Sequence, residues 1–177
     1  MILSDLDIKN FQNNTKNNNP LVLTSNKEIY IGPSSVDLTL SNSFTKLVNY
    51  EVIRFEEKIN YETLNINTYL LDPGQFILAS TQETINLPDN ISAFVQGRSS
   101  VGRLGLQIQN AGFIDAGFIG EITLELHNQG PCPILLEAGK RICQVVFFQQ
   151  KSPSENIYNG KYQKQSGATG SKIFLDD

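Results

Sequence analysis

The feature that most limits what this chain can fold into is the way its apolar residues are distributed. They come in short runs of roughly four to eight residues, most of them closed by a glycine or proline turn. Ser35-Val36-Asp37-Leu38-Thr39-Leu40 alternates, placing Val36, Leu38 and Leu40 on one face. Leu71-Asp72-Pro73-Gly74 is a turn into a strand over 75–81, and Leu87-Pro88-Asp89-Asn90 is another before 91–95. Ile134-Leu135-Leu136 precedes Glu137-Ala138-Gly139, and residues 142–148 read as a fully buried strand. Strands at this spacing predict a mainly β fold of the sandwich or barrel type.

Helix signals are few. Ser4 is a candidate N-cap with Asp7 three residues on, and Ile8 and Phe11 share a face, so the first dozen residues predict a short helix. It should end in the polar loop 13–20, closed by Pro20. A second helix of one or two turns is expected near Ser99-Ser100. From about Glu155 the composition shifts to Asn, Gly, Tyr, Lys, Gln and Ser, which predicts a flexible C-terminal segment over 155–177. No repeat or composition break divides the chain, so residues 1–177 are expected to form one domain.

Composition narrows the chemistry. With 14 Lys and Arg against 18 Asp and Glu, the net charge is −4, and no basic run offers the phosphate-neutralising surface of a nucleic-acid binder. No run approaches the roughly 18 apolar residues of a membrane span. Met1-Ile2-Leu3-Ser4-Asp5 does not read as a signal peptide, so a cytoplasmic protein with reduced thiols is expected. The one histidine, His127, and two cysteines, Cys132 and Cys143, do not suffice for a four-ligand Cys/His zinc site within one chain. Catalysis then falls to carboxylates, arginines and hydroxyls.

Two segments concentrate such groups. Gly97-Arg98-Ser99-Ser100-Val101-Gly102-Arg103 sets hydroxyls and backbone N–H groups beside two guanidiniums, a pattern suited to phosphate. It suits a solvated helix start as well. In the second segment, a strand over 121–127 puts Glu121, Thr123 and Glu125 on one face and Ile122, Leu124 and Leu126 on the other. Asp115 lies just upstream at a Gly-rich bend. One carboxylate on a strand and one on a bend provide for general-base chemistry if either is partly desolvated; surface acids of a hairpin would look the same.

The runs GRSSVGRLG (97–105) and NAGFIDAGFIGEITLEL (110–126) closely resemble the dCTP deaminase branch of the dUTPase-like superfamily. Ser35-Val36-Asp37-Leu38, Arg141-Ile142-Cys143-Gln144, Tyr158-Asn159-Gly160-Lys161-Tyr162 and Gln165-Ser166-Gly167-Ala168 extend the match over nearly the whole chain. The resemblance implies a distorted β-barrel of the β-clip type, assembled as a homotrimer with active sites at subunit interfaces. It implies deamination without zinc, the H-x-E signature of zinc deaminases being missing. Glu125 would be the general base acting on water at C4 of the cytosine ring, with Ser99 and Arg103 positioning water and carboxylate.

Within the family, Gly112 stands where single-function bacterial deaminases tend to carry histidine, which favours the bifunctional, dUMP-forming branch. There Asp115 would serve water attack on the α-phosphorus. By the same resemblance Arg98, Ser99 and Ser100, in the run continuing through Val101 and Gly102, meet the triphosphate with Lys161 and Gln165. Thr123, Leu124 and Gln144 line base and sugar, Phe118 packs under the deoxyribose, and Tyr158 lies near the phosphates. The expected ligands are dCTP and dUTP. Mg²⁺ is expected to be held through phosphate oxygens and water with few or no protein ligands, and the tail is expected to close over the nucleotide. A single-activity deaminase or dUTPase, and a nucleotide-gated regulatory binding protein, are the alternatives. His127, two residues from Glu125, is expected at a rim or interface.

Overall fold

A computed structural model of the chain describes residues 1–13, 20–109 and 112–176, and only the backbone of Gln109. Residues 14–19 of the polar loop expected over 13–20, and the Asn110-Ala111 portion of the second motif, lie outside the described residues.

The chain opens with Ile2 bridged to Phe148, and helix α1 (Asp5–Asn13) follows. Ser4 caps it. Its Oγ accepts from the Asp7 N–H at 3.2 Å, and Asp7 Oδ2 accepts from the Ser4 N–H at 3.0 Å, a reciprocal box that satisfies two free donors. Ile8 is completely buried, so one apolar side chain on this first turn contributes about 2 kcal/mol of burial.

Twelve strands follow: β1 (Val22–Thr24), β2 (Tyr30–Ile31), β3 (Val36–Leu47), β4 (Tyr61–Asn65), β5 (Thr68–Leu71), β6 (Phe76–Asn86), β7 (Ile91–Gly97), β8 (Leu106–Gln109), β9 (Phe113–Ile114), β10 (Ile119–Asn128), β11 (Ile134–Glu137) and β12 (Arg141–Gln149). A short helix, α2 (Ser99–Gly102), joins β7 to β8, and a 3₁₀ turn (Ile173–Leu175) lies near the end. Ten strands form one curved sheet in the order β8-β10-β6-β3-β12-β7-β9, with β1 on β6 and β2 and β4 on β3; β5 and β11 pair separately. The fold is mainly β, a half-barrel with a short N-terminal helix.

The long strand β3 makes the half-barrel. Residues 36–39 pair with β12 and residues 43–47 with β4, with register breaks between Leu40 and Phe44 and between Arg141 and Cys143. A strand that changes partners across a bulge bends the sheet, and the core collects inside the bend. Val36, Leu38, Leu40, Phe44, Ile77, Leu126 and Phe147 are all at most 1% exposed there. The expected facing of Val36, Leu38 and Leu40 is observed. Strand β12 departs from expectation: Ile142, Cys143, Val145 and Phe147 are buried, but Gln144, Val146 and Phe148 are only half covered, because its second face is left open in the single chain.

Among the described residues, no helix is long and apolar enough to cross a membrane.

Candidate functional site

Strand β10 is the spine of the site. Its burial alternates strictly, with Ile122, Leu124 and Leu126 in the core and Glu121, Thr123 and Glu125 half exposed on the opposite face. A register shift between Glu121 and Thr123 opens the pairing with β6, and the Thr81 Oγ1 fills the gap by accepting from the Ile122 N–H at 3.0 Å. Below this bulge Glu125 stands opposite Leu78.

Asp115 arrives from the other side. It closes a turn in which the Phe118 N–H donates to the Asp115 carbonyl at 3.2 Å, and Gly117 takes φ +86°. A side chain on Gly117 would meet Ile157 at 2.6 Å, so both the backbone sign and the close approach of the tail call for glycine. The turn leaves Asp115 exposed and buries Phe118, whose ring lies 5.8 Å from that of Tyr158.

Asp115, Phe118, Thr123, Glu125, Tyr158 and Gln165 share the wall of one cavity of about 390 Å³. Apolar walls come from Leu78, Phe113, Ile114 and Ile122. Sequence reasoning missed Leu47, Tyr61, Phe76, Tyr162 and the 169–171 segment, which complete the lining. Tyr162 lay within a motif already noted; Tyr61 and Phe76 carry no local signal, because the half-barrel bend alone brings them here.

The C-terminal segment forms the roof. It carries no strand, in keeping with its composition, yet it is tied at many points. Tyr158 N–H donates to the Ala116 carbonyl at 2.8 Å, and Gln163 Nε2 donates to the Gly117 carbonyl at 2.8 Å. Gln165 bridges to Gly120, Ala168 is buried, and Thr45 Oγ1 donates to the Ala168 carbonyl at 2.7 Å. The glycines that predicted flexibility have contacts to make: a Cβ at Gly170 would collide with the Tyr61 ring.

A second group of expected residues lies elsewhere. Helix α2 starts after Arg98, which is itself the N-cap residue, so Ser99 is the first helical residue and not the cap. Ser99, Ser100 and Arg103 are exposed, as is Gly102, while Val101 packs on the core. Arg98 Nε lies 3.2 Å from Asp37, which also meets Arg141 at 3.1 Å. Gln144, half buried on β12, is the strand neighbour of Asp37 and Gln96 in the same region. None of residues 98–103, nor Gln144, is on the cavity wall.

Register explains the separation. Strand β8 runs antiparallel to β10, with Leu106 opposite Asn128, so α2 lies beyond the Asn128 end. Three residues of strand, about 10 Å, separate that end from Glu125. Two further positions depart from expectation. The Leu124 side chain is 2% exposed and points into the core, because strand alternation turns it away from Thr123 and Glu125. Lys161 is paired with Asp176 rather than directed into the cavity.

His127 pairs with Phe76 and Gln107 on its two sides, and its Nδ1 is buried with no hydrogen-bond partner among the described residues. The cysteines are free thiols, Cys132 exposed and Cys143 buried. No cluster of three metal-ligating side chains occurs among the described residues. The exposed Asp115 carboxylate is a hard oxygen acceptor, of the kind that accepts from water around a hard cation.

The described residues thus form a β-clip-like half-barrel with two acids, Asp115 and Glu125, on the wall of a cavity that the tail covers. Two solved structures share the fold. The 2′-deoxycytidine 5′-triphosphate deaminase of Agrobacterium tumefaciens superposes with a TM-score of 0.62 at 22% identity, covering 82% of this chain; the chain spans 47% of that longer one. A Staphylococcus bacteriophage 80alpha dUTPase mutant with dUpNHpp gives a TM-score of 0.54 at 15% identity, over 84% of this chain and 96% of that one.

The chain belongs to the dCTP deaminase-like family, whose sequence profile matches residues 2–150. It is 45% identical over 184 residues to the dUMP-forming dCTP deaminase of Persephonella marina, covering 99% of both chains. The dUMP-forming dCTP deaminase of Hydrogenobaculum sp. is 46% identical over 177 residues, covering 99% of this chain and 98% of that one.

Proposed function

We propose that this chain converts dCTP to dUMP, ammonia and pyrophosphate. The observation that carries the reading is the presence of Asp115 and Glu125 on the wall of one cavity, in a chain whose relatives of matching length are dUMP-forming dCTP deaminases. Two carboxylates in one cavity provide one base for each of two water attacks.

In the first step Glu125 takes a proton from water as the oxygen bonds to C4 of the cytosine ring. That proton passes to N3; Glu125 then carries the proton of the new 4-hydroxyl to the amino nitrogen, and the tetrahedral adduct collapses to the C4 carbonyl as ammonia leaves, giving dUTP. In the second step water attacks the α-phosphorus, Asp115 takes its proton, and pyrophosphate leaves with the β- and γ-phosphorus atoms, giving dUMP. Phe118 lies under the sugar and Tyr158 packs on Phe118. Mg²⁺, if held through phosphate oxygens and water, would supply charge neutralisation to the triphosphate, and Asp115 would be the cavity side chain able to accept from its water.

Arg98, Ser99, Ser100 and Arg103 belong in this reading to a neighbouring copy. Their absence from this chain's own cavity wall and the edge position of β8 support a homotrimer with sites completed across subunit boundaries. In the assembled site Arg103 and Ser99 of one copy would steer water and the Glu125 carboxylate of another.

The deciding experiment incubates purified protein with dCTP and Mg²⁺ and follows ammonia, dUTP, dUMP and pyrophosphate separately. Equal amounts of ammonia, dUMP and pyrophosphate are expected. Accumulating dUTP would restrict the protein to deamination, and inert dCTP with hydrolysed dUTP would restrict it to the dUTPase step.

A further inference from the structure

On the open face of β10, Glu121, Thr123 and Glu125 follow one another at strand spacing, and only the last two border the cavity. Glu121 is committed to the tail. Its Oε2 accepts from the Gly167 N–H at 2.6 Å, and its Oε1 accepts from the Ser166 hydroxyl at 3.1 Å. Its backbone N–H donates to the Gln165 carbonyl at 3.0 Å, and its carbonyl accepts from Gln165 Nε2 at 2.8 Å. One residue thus makes four hydrogen bonds, three accepted and one donated, with three consecutive tail residues. The next residue on the face continues the pattern: Thr123 Oγ1 accepts from the Thr169 N–H at 3.1 Å.

We infer that Glu121 is a positioning residue that fastens the tail to the strand carrying Glu125, and so fixes the wall that Gln165, Thr169 and Ser171 give the cavity. Three features make the side chain decisive. The segment it holds has no strand or helix of its own, and its other ties in this stretch are the Gln165 bridge to Gly120, the Thr169 bond to Thr123, and the Ser43 and Thr45 bonds to Ala168. Gly167, at φ +68°, directs its N–H to the carboxylate through a backbone conformation that alanine or valine would adopt only under strain. Hydrogen bonds to a carboxylate are the strong kind, and here both oxygens are engaged by neighbouring tail residues. Breaking them frees the loop without disturbing the core, since Glu121 is half exposed and its strand pairing to Thr84 uses the backbone. The consequence for turnover rests on the dCTP and dUTP reading above; the fastening itself does not.

The test uses full-length Glu121→Ala and Glu121→Gln proteins. Amide hydrogen exchange in the nucleotide-free protein should show residues 165–169 exchanging at least 10-fold faster in Glu121→Ala, with β6 and β12 unchanged. Glu121→Gln, which keeps one acceptor oxygen, should fall between. In the same variants KM for dCTP should rise about 10-fold, with Glu121→Gln partly rescuing it. Tail exchange equal to wild type in Glu121→Ala would overturn the proposal. So would a released tail with wild-type KM and kcat. If the wild-type protein does not turn over dCTP, the functional reading fails while the exchange comparison still decides whether Glu121 holds the tail. Should Glu121→Ala not fold, Glu121→Gln with Ser166→Ala carries the same comparison.

Discussion

Asp37 and Arg98 form a fixed pair: the carboxylate, 7% exposed, lies 3.2 Å from the guanidinium Nε. The same oxygen accepts from Arg141 Nη1 at 3.1 Å, and Arg98 Nη1 donates to the Arg141 carbonyl at 3.2 Å. Arg141 in turn stacks 4.4 Å from the Tyr30 ring centroid. Arg98 is therefore aimed before any ligand arrives, with little side-chain freedom left to lose on binding.

Replacing Asp37 by Asn is expected to raise KM for dCTP by roughly 10- to 100-fold, the range of one charge-assisted hydrogen bond. The effect on kcat should be smaller, because Arg98 is assigned to the triphosphate and not to the ring. Steady-state kinetics check this. An unchanged KM in a folded variant would remove Asp37 from the positioning of Arg98.

The two carboxylates of the cavity should separate the two reactions. Glu125→Gln is expected to lower ammonia release from dCTP by at least about 10²-fold, the lower end of general-base contributions, while dUTP is still hydrolysed. Asp115→Asn should do the reverse, releasing ammonia and accumulating dUTP. Separate assays of ammonia and pyrophosphate on each substrate read out both. Loss of both activities in both folded variants would overturn the assignment of one carboxylate to each step.

The proposed division of each site between two copies makes a sharp prediction for mixed assemblies. Glu125→Gln and Arg103→Ala proteins should each be inactive alone. Unfolded, mixed and refolded together, they should regain deaminase activity, because some sites then draw both intact halves from different chains. Persistent inactivity of verified mixed oligomers would argue that Arg103 and Glu125 act within one chain.

The cysteines should differ in reactivity. Burial pushes the Cys143 thiol far above the usual thiol range, with the carboxylates of Glu83 and Asp37 adding to the effect. Iodoacetamide at pH 8 is expected to modify Cys132 alone in the folded protein and both residues after unfolding, as read by intact mass.

Helix α1 should respond to acid. Backbone and hydroxyl hydrogen bonds from Ser4 hold the Asp7 carboxyl below its ordinary value. A carboxylate depressed on folding adds stability that is complete above its unfolded pKa and disappears as pH falls through the lower folded value. The difference in Tm between wild type and Asp7→Asn should therefore be largest near neutral pH and vanish at the acid end, as measured by thermal melts.

Much of the fold was legible because strand and cap signals are local. Val36, Leu38 and Leu40 alternate on the page and in the core, and Ser4 and Asp7 sit at capping spacing and form the box. The face shared by Glu121, Thr123 and Glu125 was equally legible, since a period of two is fixed by the pleat. What each of the three does was not. Glu121 turns to a segment more than forty residues away, and only the path of the tail shows that. The openness of Val146 and Phe148 was hidden for the same reason: an apolar run looks alike whether one face or two are covered.

By itself the amino-acid order settled which side chains share a strand face and where the chain turns and caps. Those are matters of short-range geometry. The tertiary structure decided that Asp115 and Glu125 meet across one cavity, that a glycine-rich tail is pinned as its roof, and that Arg103 lies off the far end of the same sheet. Each depends on the bend of β3 and the register of β8 on β10, which arise from packing between distant segments and leave no mark in any one stretch of residues.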